Sequence, residues 1–148
     1  MYLSRDTILN VISPKDSKST EVFCLYSMKD KIIDKYCIRS YNYDRNETTY
    51  HTIKDIVKTG GAYSSVSITM RRFGIWTTNI SDNCFVYIPN NGFMNVKYIN
   101  SNDQLFTQDM GICDITSIYR TNGNDFYYLV LEKNVPIFAD GILIKQGQ

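Results

Sequence analysis

Short runs rich in Ile, Val, Tyr and Phe recur along this chain, and a turn signal follows most of them. Residues 84–88 precede Asn91-Gly92, and residues 112–119 precede Asn122-Gly123, after which residues 126–131 should return as the partner strand. Asn-Gly between two such runs is a strong hairpin signal. β-Branched and aromatic residues favour pleated strands over helices. About ten short runs at this spacing predict an all-β domain, sandwich-like or barrel-like, with little helix.

The same pattern assigns the remaining segments. Strands are predicted over residues 2–12, 22–28, 36–43, 66–69, 73–78, 94–99 and 104–107. Residues 29–31 should turn the second of these strands into the third, giving a hairpin with one wet face. Residues 48–57 fit a strand and a short helix equally well. Residues 136–144 should bend tightly at Gly141.

Length and composition predict one domain over residues 1–148. The chain is 43% hydrophobic, which is enough to fill a single core of this size. The net charge is only +1, so the basic surface typical of a nucleic-acid-binding protein is not expected. No apolar run approaches the roughly 20 residues that cross a bilayer, and residues 1–10 contain no basic-then-apolar signal sequence. We therefore expect a protein that is not secreted and has neither nucleic-acid nor membrane partners.

Few side chains suit metal binding or nucleophilic catalysis. Cys24, Cys37, Cys84 and Cys113 are widely spaced and form no C-x-x-C pair, so neither a zinc site nor a redox motif is indicated. We expect them to be buried, reduced thiols. The single histidine, His51, is expected on a strand surface rather than as a catalytic base. No metal, cofactor or small-molecule ligand is therefore predicted.

Several stretches follow one another in an order that is typical of a known module. They are Y-L-S-R-D-T-I (residues 2–8), V-S-I-T-M-R-R (66–72), F-M-N-V-K-Y-I-N-S-N-D-Q-L-F (93–106), F-Y-Y-L-V-L-E (126–132) and F-A-D-G-I-L-I (138–144). In this order they resemble the sequence blocks of the Hint (hedgehog/intein) module of inteins, and the last stretch is the most specific. The resemblance spans nearly the whole chain. It implies a pseudo-symmetric β horseshoe in which residues 2–12 pair near residues 126–144.

The resemblance also implies that the splicing chemistry is lost. The family's positions fall on Tyr2, Thr69, Arg72, Lys145 and Gln146, and only Thr69 is retained. Tyr2 replaces the nucleophilic Cys or Ser with a phenol whose pKa is about 10. Arg72 replaces a His, yet a guanidinium exchanges no proton near neutrality. Lys145 and Gln146 replace the closing His-Asn, so cyclisation would have to form the larger glutarimide.

A further candidate for chemistry lies outside the family positions. Cys84, in D-N-C-F, is either a displaced nucleophile or, as we expect, a thiol in a strand core. The chain as a whole is interpreted as a pseudoenzyme that neither splices nor cleaves. Because it starts and stops almost where the module does, we expect a free-standing scaffold.

Binding to other proteins is the activity that such a scaffold retains. Aromatic residues make up 14% of the chain, and Tyr buries a large area at an interface with little loss of entropy. Turns and wet strand faces commonly carry recognition. The candidate contact segments are residues 36–43, 90–93 and 121–126. The candidate contact residues within them are Tyr36, Tyr41, Tyr43, Phe93 and Phe126.

The abundance of Asn, Asp, Ile, Lys and Tyr suggests an AT-rich genome, such as that of a bacteriophage. We therefore predict a structural or assembly protein of a virion, in the tail, the neck or associated with the capsid. Its partners would be other virion proteins or copies of itself, in the virion or the host cytoplasm. Two alternatives remain open. The chain is an autoprocessing intein or an inactivated derivative of one, or it is an early viral protein that binds a host protein.

Overall fold

The computed structural model of the protein describes residues 2–22, 25–59, 63–122 and 125–146. Strands dominate this part of the chain. They are β1 (Tyr2–Leu3), β2 (Leu9–Ile12), β3 (Ser19–Val22), β4 (Cys37–Asn42), β5 (Glu47–Thr59), β6 (Ser65–Arg71), β7 (Ile75–Ser81), β8 (Cys84–Ile88), β9 (Gly92–Asn95), β10 (Gln104–Phe106), β11 (Ile112–Thr121), β12 (Phe126–Leu131), β13 (Ile137–Ala139) and β14 (Ile142–Gln146). A 3-10 helix (Leu25–Met28) and helix α1 (Lys29–Ile32) connect β3 to β4. The all-β prediction is confirmed.

The strands form one continuous, curled sheet in which every pairing is antiparallel. Its order is β10-β11-β6-β7-β1-β12-β5-β4-β2-β13-β14-β8-β9, with β3 paired to β2. The long strand β5 joins the two halves, because its first part pairs with β4 and its second part with β12. The curl brings β10 close to β8 and β14, and Thr107 forms an isolated bridge with Ile142. The result is a β horseshoe that folds around its own core.

The two ends of the described chain meet inside this sheet. Tyr2 lies opposite Tyr128 in the pairing of β1 with β12. Leu9 lies opposite Ala139 in the pairing of β2 with β13. The predicted proximity of residues 2–12 to residues 126–144 is confirmed.

Two apolar clusters fill the horseshoe. The larger contains the inward-facing aliphatic side chains of both halves, with Leu3, Ile38 and Ile80 among its fully buried members. The smaller consists of Tyr41, Tyr87, Phe106, Phe138 and Leu143, with Phe93 packed against it. Because alternate residues of a strand face opposite sides, a curled sheet can support a core on its inner face and a second cluster at its rim. In the described part of the chain, no helix is long and apolar enough to span a membrane.

The prediction for residues 22–43 is wrong in its first half. Of residues 22–28, Val22 ends strand β3 and residues 25–28 form the 3-10 helix, which together with α1 places Leu25 and Ile32 in the core. Residues 23 and 24 lie outside the described part of the chain. Strand β4 therefore pairs with β2 and β5 rather than with residues 22–28. Neither face of β4 is fully exposed to solvent, because Ile38 and Tyr41 lie on opposite faces and are both buried. The ambiguous residues 48–57 lie within β5.

Turn signals predicted one hairpin correctly and misassigned another. Residues 84–88 form β8, and Asn91-Gly92 leads into its partner β9 as expected. Strands β11 and β12 are consecutive but do not pair, because β11 lies between β6 and β10 whereas β12 lies between β1 and β5. Gly123 and Asn124 of that predicted turn lie outside the described residues.

The strand predicted over residues 94–99 is shorter in the structure. Strand β9 ends at Asn95, whose side-chain oxygen accepts a hydrogen bond from the amide of Lys97 at 2.8 Å. Tyr98 also donates its amide to the carbonyl of Asn95 at 3.0 Å. These bonds form a turn that carries Val96 and Ile99 into the core without a strand.

Candidate functional site

Arg72, which the resemblance places at the family's His position, begins the turn between β6 and β7. Its amide donates to the carbonyl of Gly74 at 2.9 Å, which closes the turn. Its guanidinium contacts Asp109 through both Nε and Nη2, each 2.8 Å from Oδ2. Nη1 donates to the carbonyl of Ile112 at 3.0 Å. Arg72 therefore joins the β6–β7 turn to the loop that precedes β11.

The surroundings of this ion pair favour the charged state of Asp109. Asp109 accepts a hydrogen bond from the Thr107 hydroxyl, and this bond, together with the Arg72 guanidinium, holds the pKa of Asp109 below its usual value. Gly111 leaves the space that the guanidinium occupies, because a Cβ there would overlap it. A guanidinium stays protonated near neutral pH, so Arg72 is a cation that links the β6–β7 turn to the loop before β11.

Thr69, the retained family residue, takes part in a cross-strand contact. Its hydroxyl lies 3.0 Å from that of Thr77, which faces it across β6 and β7. Its carbonyl accepts a hydrogen bond from the Thr116 hydroxyl of β11 at 3.1 Å. Cross-strand Thr–Thr pairs are a common source of sheet stability.

The three remaining family positions lie on strands. Tyr2 is in β1, and Gln146 is opposite Cys84 at the end of β14. The side chains of Tyr2 and Gln146 are outside the described part of the structure. Lys145 places its ammonium 4.6 Å from the centre of the Phe93 ring, which is a cation–π distance.

The cysteines differ in their access to solvent. Cys84 is fully buried, with its Sγ 3.5 Å from the Ser81 hydroxyl. Cys113 is also buried, and this burial raises the pKa of its thiol to about 11. Cys37 is only partly buried, and Cys24 lies outside the described residues. Within the described ranges, no group of three or more His, Cys, Asp or Glu side chains could hold a metal ion.

His51 is buried, which corrects the expectation that it lies on a strand surface. It is 9% exposed, and its Nε2 lies 2.9 Å from the Thr49 hydroxyl. Its Nδ1 lies 3.7 Å from a carboxylate oxygen of Glu132. Burial lowers the pKa of His51, so the imidazole is neutral at physiological pH. His51 lies on the same face of β5 as the buried Ile53, and the polar residues around it in the sequence did not indicate that this face is buried.

His51 belongs to the wall of a concave surface that we call the aromatic groove, formed by Tyr41, Tyr43, Tyr87 and Phe93. The groove has a volume of about 660 Å³. The ring centres of Tyr43 and Tyr87 are 4.6 Å apart, and those of Tyr87 and Phe93 are 5.0 Å apart. Burial raises the pKa of Tyr87, so its hydroxyl stays protonated at neutral pH.

The structure brings together some of the predicted contact residues and separates others. Tyr41, Tyr43 and Phe93 meet in the aromatic groove. Tyr36 packs against the main core instead. Phe126 is 1% exposed, so its side chain is not available to a partner, which corrects that prediction. Tyr87 was not predicted as a contact residue, because the sequence of strand β8 is almost entirely apolar and indicates a buried strand.

Comparison with known proteins identifies the fold. No family model and no curated protein matches the chain. Solved structures do match it over essentially its whole length. An intein from a hyperthermophile superimposes with a TM-score of 0.78 at 9% identity, covering 98% of each chain. The Pab PolII intein gives 0.76 at 12% identity, covering 100% of each.

A third match is a bacterial intein-like domain from Clostridium thermocellum, with a TM-score of 0.73 at 9% identity, covering 99% of this chain and 98% of that one. The three matches cover between 98% and 100% of both chains. The protein therefore has the fold of an intein-like Hint module.

Proposed function

We propose that this Hint-like chain is a non-catalytic structural or assembly protein that works by binding other protein chains, as a component of a bacteriophage particle. The observation that carries the proposal is the state of Arg72. The family's proton-transfer position holds a guanidinium that is paired with Asp109 and packed over Gly111. A group in this state gives no proton to a scissile amide and takes none from it.

The other family positions support the same conclusion. Peptide cleavage by this module begins with attack by a side-chain nucleophile, and a phenol such as that of Tyr2 is a weak nucleophile at neutral pH. The step that closes splicing needs an imidazole beside a terminal Asn. Here the corresponding ammonium of Lys145 lies over the Phe93 ring. Cys84 is fully buried among core side chains, which favours the role of a core thiol.

The aromatic groove is the surface we assign to partner binding. Large aromatic faces bury much apolar area while losing few rotamers, which is why they dominate interface energetics. The charged residues of the groove are balanced, with Asp44 and Glu47 against Arg45 and Lys133. A partner therefore meets an aromatic floor beside charged side chains whose net charge is zero. A virion role is proposed from the AT-rich residue usage together with this surface.

The first test asks whether the chain processes peptide bonds. Placed between two foreign proteins and incubated with thiol, it should give neither ligation nor cleavage on a gel. The Tyr2→Cys variant should also fail, since Arg72 and the Lys145-Gln146 pair leave the later steps unsupported. An active intein between the same two proteins is the matched control. A spliced product from the unaltered chain would contradict the proposal and favour the autoprocessing function, with which the fold is equally compatible.

The second test concerns location. Purified particles of the source virus should contain this polypeptide in a fixed copy number by quantitative mass spectrometry. A known capsid protein serves as the internal reference for stoichiometry. If the polypeptide is absent from particles and is found free in infected cells, the virion role is wrong and the host-directed role replaces it.

A further inference from the structure

Strand β9 forms one end of the described sheet and is paired on one side only. Its partner is β8, and no other described strand pairs with it. The residues of β9 are all half-buried, so the strand is accessible from solvent. The outer edge of such a strand presents main-chain donors and acceptors with which a further strand can pair.

The register of the β8–β9 pairing shows which main-chain groups of β9 face outward. The amide of Val96, which continues this register, donates to the carbonyl of Cys84 at 3.0 Å. Hydrogen-bonded and non-hydrogen-bonded pairs alternate along an antiparallel ladder, so Met94 is bonded to β8 and its two neighbours are not. The amide and carbonyl of Phe93 and the amide of Asn95 therefore point away from β8, toward the side on which no described strand pairs.

This edge borders the aromatic groove. Gly92 and Phe93 of β9 both line the groove, whereas β3 and β10, which also pair on one side only, contribute no described residue to it. A Cβ placed on Gly92 would meet no atom within 4 Å, so the beginning of β9 is open. Phe93 shares its face of the sheet with Tyr87, which lies opposite it on β8. Alternate side chains of a strand added to β9 would therefore lie on the groove side.

Contacts on both faces of β9 hold this edge in place. On the groove side, the Phe93 ring centre lies 5.0 Å from that of Tyr87, and the Lys145 ammonium lies 4.6 Å from the Phe93 ring centre. On the other side, Met94 packs against the main core. An edge that is fixed in this way loses little entropy when a partner binds.

We propose that an extended segment of a partner protein adds to β9 as an antiparallel strand and places an aromatic side chain beside Phe93, over the aromatic groove. Outward main-chain donors and acceptors are complementary to another extended main chain. The partner residue opposite Phe93 would exchange two hydrogen bonds with it, and the Asn95 amide would donate a third. Aromatic side chains that face each other across two strands stabilise their pairing. This inference rests on the proposed binding function and names the form of the partner.

Selection of short random peptides displayed on phage, against the full chain, provides the probe. Phe93→Ala and Phe93→Pro both lack the ring, but only Phe93→Pro also lacks the amide, and an outward position of an edge strand tolerates proline. Selected peptides should bind Phe93→Ala more weakly than the wild type, and Phe93→Pro at least about tenfold more weakly than Phe93→Ala. Phe73→Ala, which removes an exposed ring outside the groove, is the matched control and should bind like the wild type. Circular dichroism checks that each variant is folded.

Amide hydrogen exchange, followed by NMR, gives a readout that a merely structural role of Phe93 would not give. In the free protein the amides of Phe93 and Asn95 should exchange rapidly, whereas the Met94 amide is protected by its bond to β8. A saturating selected peptide should slow exchange at Phe93 and Asn95 by at least about tenfold and leave Met94 unchanged. This measurement uses the unaltered chain, so it decides the question even if Phe93→Pro does not fold.

Three results would overturn the inference: no peptide is enriched on the wild-type chain, the two Phe93 variants bind selected peptides equally, or exchange at Phe93 and Asn95 is unchanged. Self-association in sedimentation velocity that Phe93→Pro abolishes and Phe93→Ala does not would assign the edge to a second copy, and would overturn the assignment to a separate partner. None of these outcomes alters the splicing assay or the content of purified particles. Failure of strand addition is therefore distinguishable from failure of the proposed function.

Discussion

Phe138→Ala is expected to lower the free energy of unfolding by about 3–5 kcal/mol, the usual cost of removing a buried aromatic ring. Phe138 is 1% exposed and belongs to the smaller cluster, together with Tyr41 and Tyr87 of the aromatic groove. Its ring centre lies 6.1 Å from that of Phe106, whose ring also contacts those of Tyr41 and Tyr87. Because the cluster packs against the groove, loss of the Phe138 ring should weaken binding there as well as stability.

A second consequence of Phe138→Ala concerns Arg39. The guanidinium carbon of Arg39 lies 4.9 Å from the centre of the Phe138 ring. Its Nε is buried and has no hydrogen-bond partner among the described residues. Without the ring, this nitrogen loses its favourable electrostatic contact and borders a cavity. We therefore expect the loss of unfolding free energy for Phe138→Ala to lie in the upper part of the range of about 3–5 kcal/mol.

Urea denaturation followed by circular dichroism measures the change. Phe138→Leu, which keeps most of the volume, should cost only about 1–1.5 kcal/mol. Phe73→Ala removes the same ring from a side chain that is 93% exposed, and should change stability by less than about 0.5 kcal/mol. Similar losses at Phe138 and Phe73 would show that the smaller cluster adds little to the fold.

The sequence predicted individual strands better than their partners. The residues of β8 and the Asn-Gly turn after it were identified because both are local features. The same type of turn signal after β11 predicted a hairpin that does not form, since β11 pairs with β6 and β12 with β5. The choice of partner depends on burial across the whole curled sheet, which a local pattern does not contain.

In the candidate site, too, residues could be predicted from the local sequence, whereas their partners from distant parts of the chain could not. The family resemblance located Arg72, but its partner Asp109 is 37 residues further along the chain and no spacing rule connects them. Tyr41 and Tyr43 were recognised as contact residues from their strand. Tyr87 completes their cluster only because β8 and β4 approach each other in the fold.

The exposure of Phe73 was missed because of its sequence context. Phe73 begins F-G-I-W-T-T, which was interpreted as a strand, whereas β7 begins at Ile75. The exposure of Phe73 results from the left-handed backbone of the turn, and the composition of the segment gives no sign of it.

Asp140→Ala is the second substitution with a large expected effect. Asp140 forms, with Gly141, the two-residue turn between β13 and β14, and both have positive φ. Its carboxylate accepts hydrogen bonds from the amide of Ile8 at 2.8 Å and from the hydroxyl of Thr78 at 2.6 Å. Ala would leave both donors without this acceptor and would occupy an unfavourable φ. The expected loss is about 2–4 kcal/mol, or roughly 6–12 °C in the unfolding midpoint.

Asp140→Asn keeps hydrogen bonds to Ile8 and Thr78 but removes the charge of the carboxylate, so it distinguishes the two contributions to stability. Asn tolerates a positive φ, accepts from the Ile8 amide and donates to the Thr78 hydroxyl, so its stability should stay near that of the wild type. Burial raises the pKa of Asp140 in the folded state above its ordinary value of 3.8. The unfolded chain therefore releases this proton first as pH rises.

The pH dependence of stability follows from the fact that the unfolded chain loses the Asp140 proton at a lower pH than the folded protein does. Stability contributed by the protonated carboxyl is fully present below the unfolded pKa and is lost as pH rises through the folded pKa. Asn has no proton to lose. The stability of Asp140→Asn relative to the wild type should therefore increase as pH rises above the ordinary pKa of 3.8. All other groups are common to the two proteins, so parallel urea titrations isolate the difference. A difference that stays constant or falls with pH would show that the hydrogen bonds from Ile8 and Thr78 outweigh desolvation of the carboxylate.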